Sequence, residues 1–121
     1  IQRRKNADVF TSLLSSHPYI DIQQELGESS WFGFSMVLNE NSPISRPKLV
    51  ELLKKKNIDC RPIVTGNFLK NTEVLKHFNY EVGGSVANAE YIDKHGLFVG
   101  NHHVDISHNI EYLNSIIREK L

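Results

Sequence analysis

Apolar residues recur along this chain at two periods, about 3.6 residues and about 2, and the switches between them divide it into elements. From Ile1 to about Ser15, Val9, Phe10, Leu13 and Leu14 form one helical face, with Arg3, Arg4 and Lys5 outside it. His17-Pro18 stops that helix, because the residue before a proline is pushed out of the helical region. Ile20 and Ile22 alternate with Asp21 and Gln23, which predicts a short edge strand over Tyr19–Gln24. After a loop over Gly27–Ser30, Trp31–Leu38 carries the clearest strand pattern. Phe32, Phe34, Met36 and Leu38 fall on one face, and Trp31, Gly33, Ser35 and Val37 on the other. Both sets are mostly apolar or small, which predicts a central strand covered on both sides.

Asn39–Pro43 then turns the chain into a helix whose start is specified several times over. Ser45 is placed to cap the free amides, Pro47 fits the first turn, and Ile44 and Leu49 are spaced as a hydrophobic staple. Leu49, Val50, Leu52 and Leu53 face the core, Lys54–Lys56 suit the negative end of the helix dipole, and Asn57 suits a left-handed stop. A β-like run, Cys60–Val64, follows and ends in Thr65-Gly66-Asn67. Residues 68–84 are less regular, with a short helix over Thr72–His77 and a break at Gly83-Gly84. Ser85 is placed to cap a helix running to about His95, and Gly96 ends it. Leu97–Gly100 reads as a short strand, Asn101–Asp105 as a loop, and Ser107 as the cap of a last helix. Ile106, Ile110, Leu113 and Ile117 make one stripe of that helix. The order predicts an α+β fold, a small and mostly antiparallel sheet with helices packed on it, in a single domain over 1–121.

A chain of 121 residues is long enough for one core. Its 14 basic residues balance its 14 acidic ones, which argues against a general binder of nucleic acid or anionic membrane. Arg3-Arg4-Lys5 and Lys54-Lys55-Lys56 are short runs that read as solvated helix surface. The lone Cys60 excludes an internal disulfide and, inside a predicted strand, reads as a small hydrophobe. No apolar run reaches membrane-spanning length and no signal-peptide pattern opens the chain, so a cytoplasmic location is expected. The chain has no initiator Met and opens inside a helical pattern, which predicts a fragment of a longer protein.

Candidate chemistry is sparse. His102 and His103 are adjacent, so in an extended segment they point opposite ways, and no Cys or carboxylate completes a metal-ligand spacing with the other histidines. No Gly-x-Ser-x-Gly, phosphate-binding loop or dinucleotide fingerprint is present. No catalytic residue and no metal ligand is assigned. What stands out is a repeated theme, in which Cys60–Val64 and Leu97–Gly100 both end in Gly-Asn beside cationic or titratable groups. If these strands share a sheet, Thr65–Asn67 and Asn101–His103 are expected to meet at one polar rim, with Arg61 offering a forked cation to carboxylate or phosphate. The plain alternatives are that both Gly-Asn pairs are turns and that Arg61 forms an ion pair on the sheet surface. Trp31 and Phe32 open the central strand, where aromatics serve the core by default and can also stack on a sugar or base.

Ser30-Trp-Phe-Gly-Phe, Ser45-Arg-Pro-Lys-Leu-Val-Glu-Leu-Leu, Arg61-Pro-Ile-Val-Thr-Gly-Asn67 and Phe98-Val-Gly-Asn-His-His103 occur in an order that resembles the C-terminal small domain of the DegT/DnrJ/EryC1/StrS sugar aminotransferase family. Within that family the match is closest to the nucleotide-sugar 3-dehydratase branch, the CDP-4-keto-6-deoxyglucose and GDP-4-keto-6-deoxymannose dehydratases. It covers about Arg3 to Leu121. The resemblance implies a fold-type I, pyridoxal-phosphate-dependent homodimer acting on a nucleotide-linked 4-keto-6-deoxy sugar, by 3-dehydration or transamination, for bacterial surface polysaccharide. It also implies that the cofactor-binding large domain precedes Ile1, so this chain alone is expected to bind no pyridoxal phosphate and to be no catalyst. What the resemblance leaves to this chain is a substrate-facing set: Arg61, Thr65, Gly66, Asn67, Asn101, His102 and His103, with Trp31 and Phe32 nearby. The alternative is a stand-alone α+β module that uses the same loops for ligand binding or dimerisation without catalysis. The gene sequence preceding Ile1 separates the two.

Overall fold

The computed structural model describes residues 1–63 and 66–121. Its centre is an antiparallel sheet of strands β1 (Ile20–Ile22), β2 (Gly33–Leu38), β3 (Cys60–Pro62) and β4 (Gly96–Gly100), in the spatial order β1-β2-β4-β3. Helices α1 (Gln2–Leu14), α2 (Arg46–Lys55), α3 (Thr72–Leu75), α4 (Ala87–His95) and α5 (Ser107–Lys120) complete it, with a 3-10 turn at Phe68–Lys70. The expected α+β class and the edge position of β1 hold. The other edge is β3, where Pro62 costs the sheet no interior hydrogen bond. Because β4 is inserted between β2 and β3, the last strand made is one of the two central ones.

Register fixes which residues share a face. Phe34 lies opposite Val99, Met36 opposite Leu97, Ile20 opposite Leu38, and Cys60 opposite Val99. These side chains are buried in one cluster with Phe10 and Leu14 of α1, Leu49 and Leu53 of α2, and Ile110, Leu113, Ile116 and Ile117 of α5. Phe10 and Phe34 stack face to face, with ring centroids 4.4 Å apart. Burying a side chain of this size contributes about 1.5–3 kcal/mol, so the stripes on α1 and α5 hold those helices to the sheet. The other face of the sheet is covered only in part. A Cβ at Gly96 would meet Ile92 of α4 and Ile63, and the Tyr91 hydroxyl donates to the Leu38 carbonyl at 2.9 Å, so α4 sits over one end. Ser35 and Val37 are half-buried there, less covered than the pattern predicts for a strand enclosed on both sides.

Several ends differ from the sequence expectation. Trp31 and Phe32 do not belong to β2, because Trp31 takes a left-handed backbone (φ 51) that breaks the alternation before Gly33. Trp31 therefore turns into the core and Phe32 out to solvent, the reverse of Phe32 sharing the face of Phe34. β1 stops at Ile22, and the Gln23 side chain continues the pairing by accepting from the Ser35 amide at 2.9 Å. Ser45 stands at the start of α2 without a capping bond from its hydroxyl. Asn57 does take the left-handed stop (φ 59). Ser107 is the first residue of α5 rather than its cap, and the Asp105 carboxylate accepts from the Ser107 amide and hydroxyl at 2.9 and 2.6 Å. The short helix expected over Thr72–His77 is the single turn Thr72–Leu75. Among the described residues no helix is long and apolar enough to cross a membrane.

His17 joins α1 to β1, nearly buried, with its Nδ1 accepting the Tyr19 amide at 3.3 Å. That bond needs neutral imidazole. Burial, aided by the nearby Arg118 charge, holds the imidazole pKa below its ordinary value of 6.5. The unfolded chain then takes up a proton at higher pH than the folded one. The contribution is intact above about pH 6.5 and is lost as pH falls through that value toward the depressed folded pKa. Urea midpoints at about pH 7.5 and pH 5.5 are expected to fall further for the parent chain than for His17→Gln. Parallel falls would remove His17 from the account.

Candidate functional site

Antiparallel pairing of β3 and β4 decides where the two Gly-Asn loops go. Pro62 lies opposite Leu97 and Cys60 opposite Val99, so the chain leaves β3 at the end where β4 begins. The Gly66–Asn67 turn therefore sits at the start of β4, and Asn101–His103 at its far end. β4 is 5 residues long, which separates the two by about 14 Å at ~3.4 Å per residue. The expected common rim does not form within this chain, because it requires parallel strands. Thr65 lies outside the described residues, as does Val64 at the end of the predicted strand.

At the far end of β4, Asn101 is buried and has all four of its amide positions engaged. Its Nδ2 donates to the carbonyls of Arg3 and Trp31, both at 2.9 Å. Its Oδ1 accepts from Asn6 Nδ2 at 3.0 Å and from the His102 amide at 2.8 Å. Asn6, fully buried on α1, donates in turn to the carbonyls of His102 and Val104 at 3.1 and 2.9 Å. Its Oδ1 accepts from Gln2 Nε2 at 3.1 Å and from the Ile106 amide at 3.4 Å. Asn101 thus has no polar valence left for a ligand. It fixes the loop that presents His102 and His103, which are exposed. Because that loop bends, the two rings lie on one side with centroids 4.3 Å apart, against the expectation of opposed side chains. Among the described residues no three His, Cys, Asp or Glu side chains converge on a metal position.

The aromatics part company here. Trp31 is 6% exposed, and its ring lies against Phe34 at 6.3 Å. Phe32 is 69% exposed and lies 6.2 Å from Phe98 on the open sheet face. Gly33 leaves room for this, since a Cβ there would lie 3.0 Å from the Phe98 ring and 2.9 Å from the Val99 carbonyl. Arg61 stands directly opposite Phe98 in register, on the same face and exposed. Among the described residues no ion pair includes Arg61. Phe32, Phe98 and Arg61 thus form a strip across three strands or strand mouths, an aromatic surface ending in a guanidinium. Such a strip suits a planar ring linked to an anion.

At the near end, Gly66 takes a left-handed backbone (φ 56), and a Cβ there would collide with the Asp93 carboxylate of α4. Asn67 is buried, and its Oδ1 accepts the Leu69 amide at 3.1 Å, which caps the 3-10 turn. Cys60 is buried and burial pushes its thiol pKa up, so it packs rather than reacts. Sequence reasoning missed Asn6 and Asp93. Asn6 left a trace, because it stands one helical repeat before Phe10 and Leu14 on the apolar stripe of α1, where a polar residue needs partners. Asp93 left none.

The sequence profile of the DegT/DnrJ/EryC1/StrS aminotransferase family matches residues 1–111. The chain is 64% identical over 117 residues to the GDP-4-keto-6-deoxy-D-mannose 3-dehydratase of Yersinia pseudotuberculosis, covering 97% of this chain and 30% of that protein. It superposes with a TM-score of 0.91 and 56% identity on the E. coli GDP-4-keto-6-deoxy-D-mannose-3-dehydratase with bound hydrated PLP, covering 95% of this chain and 30% of that one. A mutant GDP-4-keto-6-deoxymannose-3-dehydratase with bound GDP-perosamine gives a TM-score of 0.92 at 56% identity, over 96% of this chain and 30% of that one. The chain thus spans about three-tenths of the length of these relatives.

Replacing Asn101 by Ala is expected to cost about 3 kcal/mol, because it breaks four hydrogen bonds and strands buried acceptors and a donor. The check is chemical denaturation, where a shift of under about 1 kcal/mol would mean that water replaces the amide.

Proposed function

The chain belongs to the DegT/DnrJ/EryC1/StrS aminotransferase family, and from that premise we propose that it is the substrate-side, C-terminal domain of a pyridoxal-phosphate enzyme acting on a nucleotide-linked 4-keto-6-deoxy sugar. The observation that carries this reading is the 64% identity, over 97% of this chain, to the Yersinia GDP-4-keto-6-deoxy-D-mannose 3-dehydratase, which favours 3-dehydration over transamination and a GDP-linked substrate. The whole protein would then be a cytoplasmic homodimer serving the synthesis of deoxysugars for lipopolysaccharide.

Pyridoxal phosphate, where bound, supplies an electron sink for bond breaking at the sugar. The residues of this chain do not fit that group. Every lysine is exposed, including Lys56, which lines an open cleft with Asn57, Ile58 and Asp59. The role left to the chain is recognition. Arg61 reaches the phosphates with paired N–H donors, which contributes about 1.5–3 kcal/mol when the contact is charge-assisted. Phe32 and Phe98 offer ring faces and edges to the base or sugar. His102 and His103 present imidazoles to the sugar hydroxyls or phosphate, and the Asn6–Asn101 pair fixes the loop that carries them. Gly66 and Asn67, with Thr65, belong to a second substrate-facing loop that meets the first only through the rest of the enzyme or a partner subunit.

The test uses the full-length enzyme. Arg61→Lys, Phe32→Ala and the double variant His102→Ala/His103→Ala are compared with the parent for nucleotide-sugar affinity, turnover and melting temperature. Arg61→Lys is expected to weaken affinity about tenfold with the melting temperature unchanged, because Lys keeps the charge and loses the fork. Variants that bind and react like the parent, or that merely melt earlier, would make the strip structural.

A further inference from the structure

The Gly66–Asn67 turn lies against the side chain of Asp93, distant in sequence. Gly66 donates its amide to the Ile63 carbonyl at 2.6 Å and takes a left-handed backbone. The face of Gly66 where a Cβ would stand is filled by the carboxylate of Asp93, near the end of α4. The Asn67 backbone amide, next along the chain, favours the charged form of that same carboxylate. Lys70, on the 3-10 turn that follows, pairs with Asp93 Oδ2 at 2.5 Å. Arg46, first residue of α2, adds a second positive charge acting on Asp93, and its own Nε is buried with no hydrogen-bond partner among the described residues. The Lys70 contact first, then the Asn67 amide, holds the Asp93 carboxyl below its ordinary range, so it is a carboxylate at neutral pH.

We propose that Asp93 is a positioning residue, whose carboxylate sets the conformation of the Gly66–Asn67 turn and thereby the surface that turn offers to the phosphate-linked sugar. This rests on the reading of Gly66–Asn67 as substrate-facing. The plain competitor is a surface ion pair with Lys70, whose side chain is 62% exposed, and such pairs contribute little. The two differ in what does the holding. An ion pair needs the charge of Asp93 and needs Lys70. A positioning carboxylate needs an acceptor against Gly66 and the Asn67 amide, which a carboxamide of the same shape retains.

Four variants of the full-length enzyme separate them: Asp93→Ala, Asp93→Asn, Lys70→Met and Asn67→Ala. Each is measured for kcat and KM with the nucleotide-linked sugar and for melting temperature. Asp93→Ala is expected to raise KM roughly tenfold with kcat changed less than about twofold, since a displaced turn weakens binding before it touches chemistry. Asp93→Asn is expected to recover most of that loss, and Lys70→Met to cause little of it. Equal losses for Asp93→Ala and Lys70→Met, with no recovery in Asp93→Asn, would overturn the inference in favour of the ion pair. A fall in melting temperature with KM unchanged would overturn it in favour of a structural role. If Asn67→Ala raises KM and Asp93→Ala does not, the turn faces substrate and Asp93 does not position it. If neither does, the substrate-facing reading of the turn fails and the inference fails with it.

Discussion

Two buried side-chain amides, Asn6 and Asn101, join parts of the chain that are 95 residues apart in sequence. Burying an amide without partners costs about 1–3 kcal/mol on protein mutational scales, so a pair with every valence filled is a condition on the fold and not an addition to it. Through these amides the start of α1, Trp31 ahead of β2, the end of β4 and the entry to α5 are fixed to one another. The left-handed backbone at Trp31 is held in the same way. A non-glycine residue in that region carries about 1–3 kcal/mol of strain, and here the Trp31 carbonyl is tied to Asn101 and its amide to Ser29 Oγ at 3.0 Å.

The late insertion of β4 has a second effect. The strand pairs antiparallel with both β2 and β3 and sends the two Gly-Asn loops to opposite ends. A single ligand can touch both only by spanning about 14 Å along β4. The open sheet face between them, with Phe32, Phe98 and Arg61, is the part of the surface that the chain's own helices leave bare. That is consistent with a chain spanning about three-tenths of its relatives' length.

Most of the fold was legible from periodicity. The stripes on α1, α2 and α5, the edge position of β1 and the left-handed stop at Asn57 follow from residue types and spacing that act locally. What was not legible depends on partners distant in sequence. The side chains of Trp31 and Phe32 change places because of one backbone torsion, which alternation alone does not encode. The caps moved for a related reason. Ser45 and Ser107 are both good caps by type, but Asp105 reaches the α5 amide first and the Ser45 hydroxyl makes no capping bond. Where the candidate residues lie was not legible, since strand direction, and with it the separation of the two loops, comes from long-range pairing.

Trp31 is the sole tryptophan. It is buried against Phe34, and its carbonyl is held by Asn101. Its indole emission therefore reports on a single locality, the mouth of the central strand where the amide pair, the histidine loop and the open face converge. The molecule carries a native optical probe there, and loosening of that corner ahead of the rest of the core would register as a red shift before helical circular dichroism is lost.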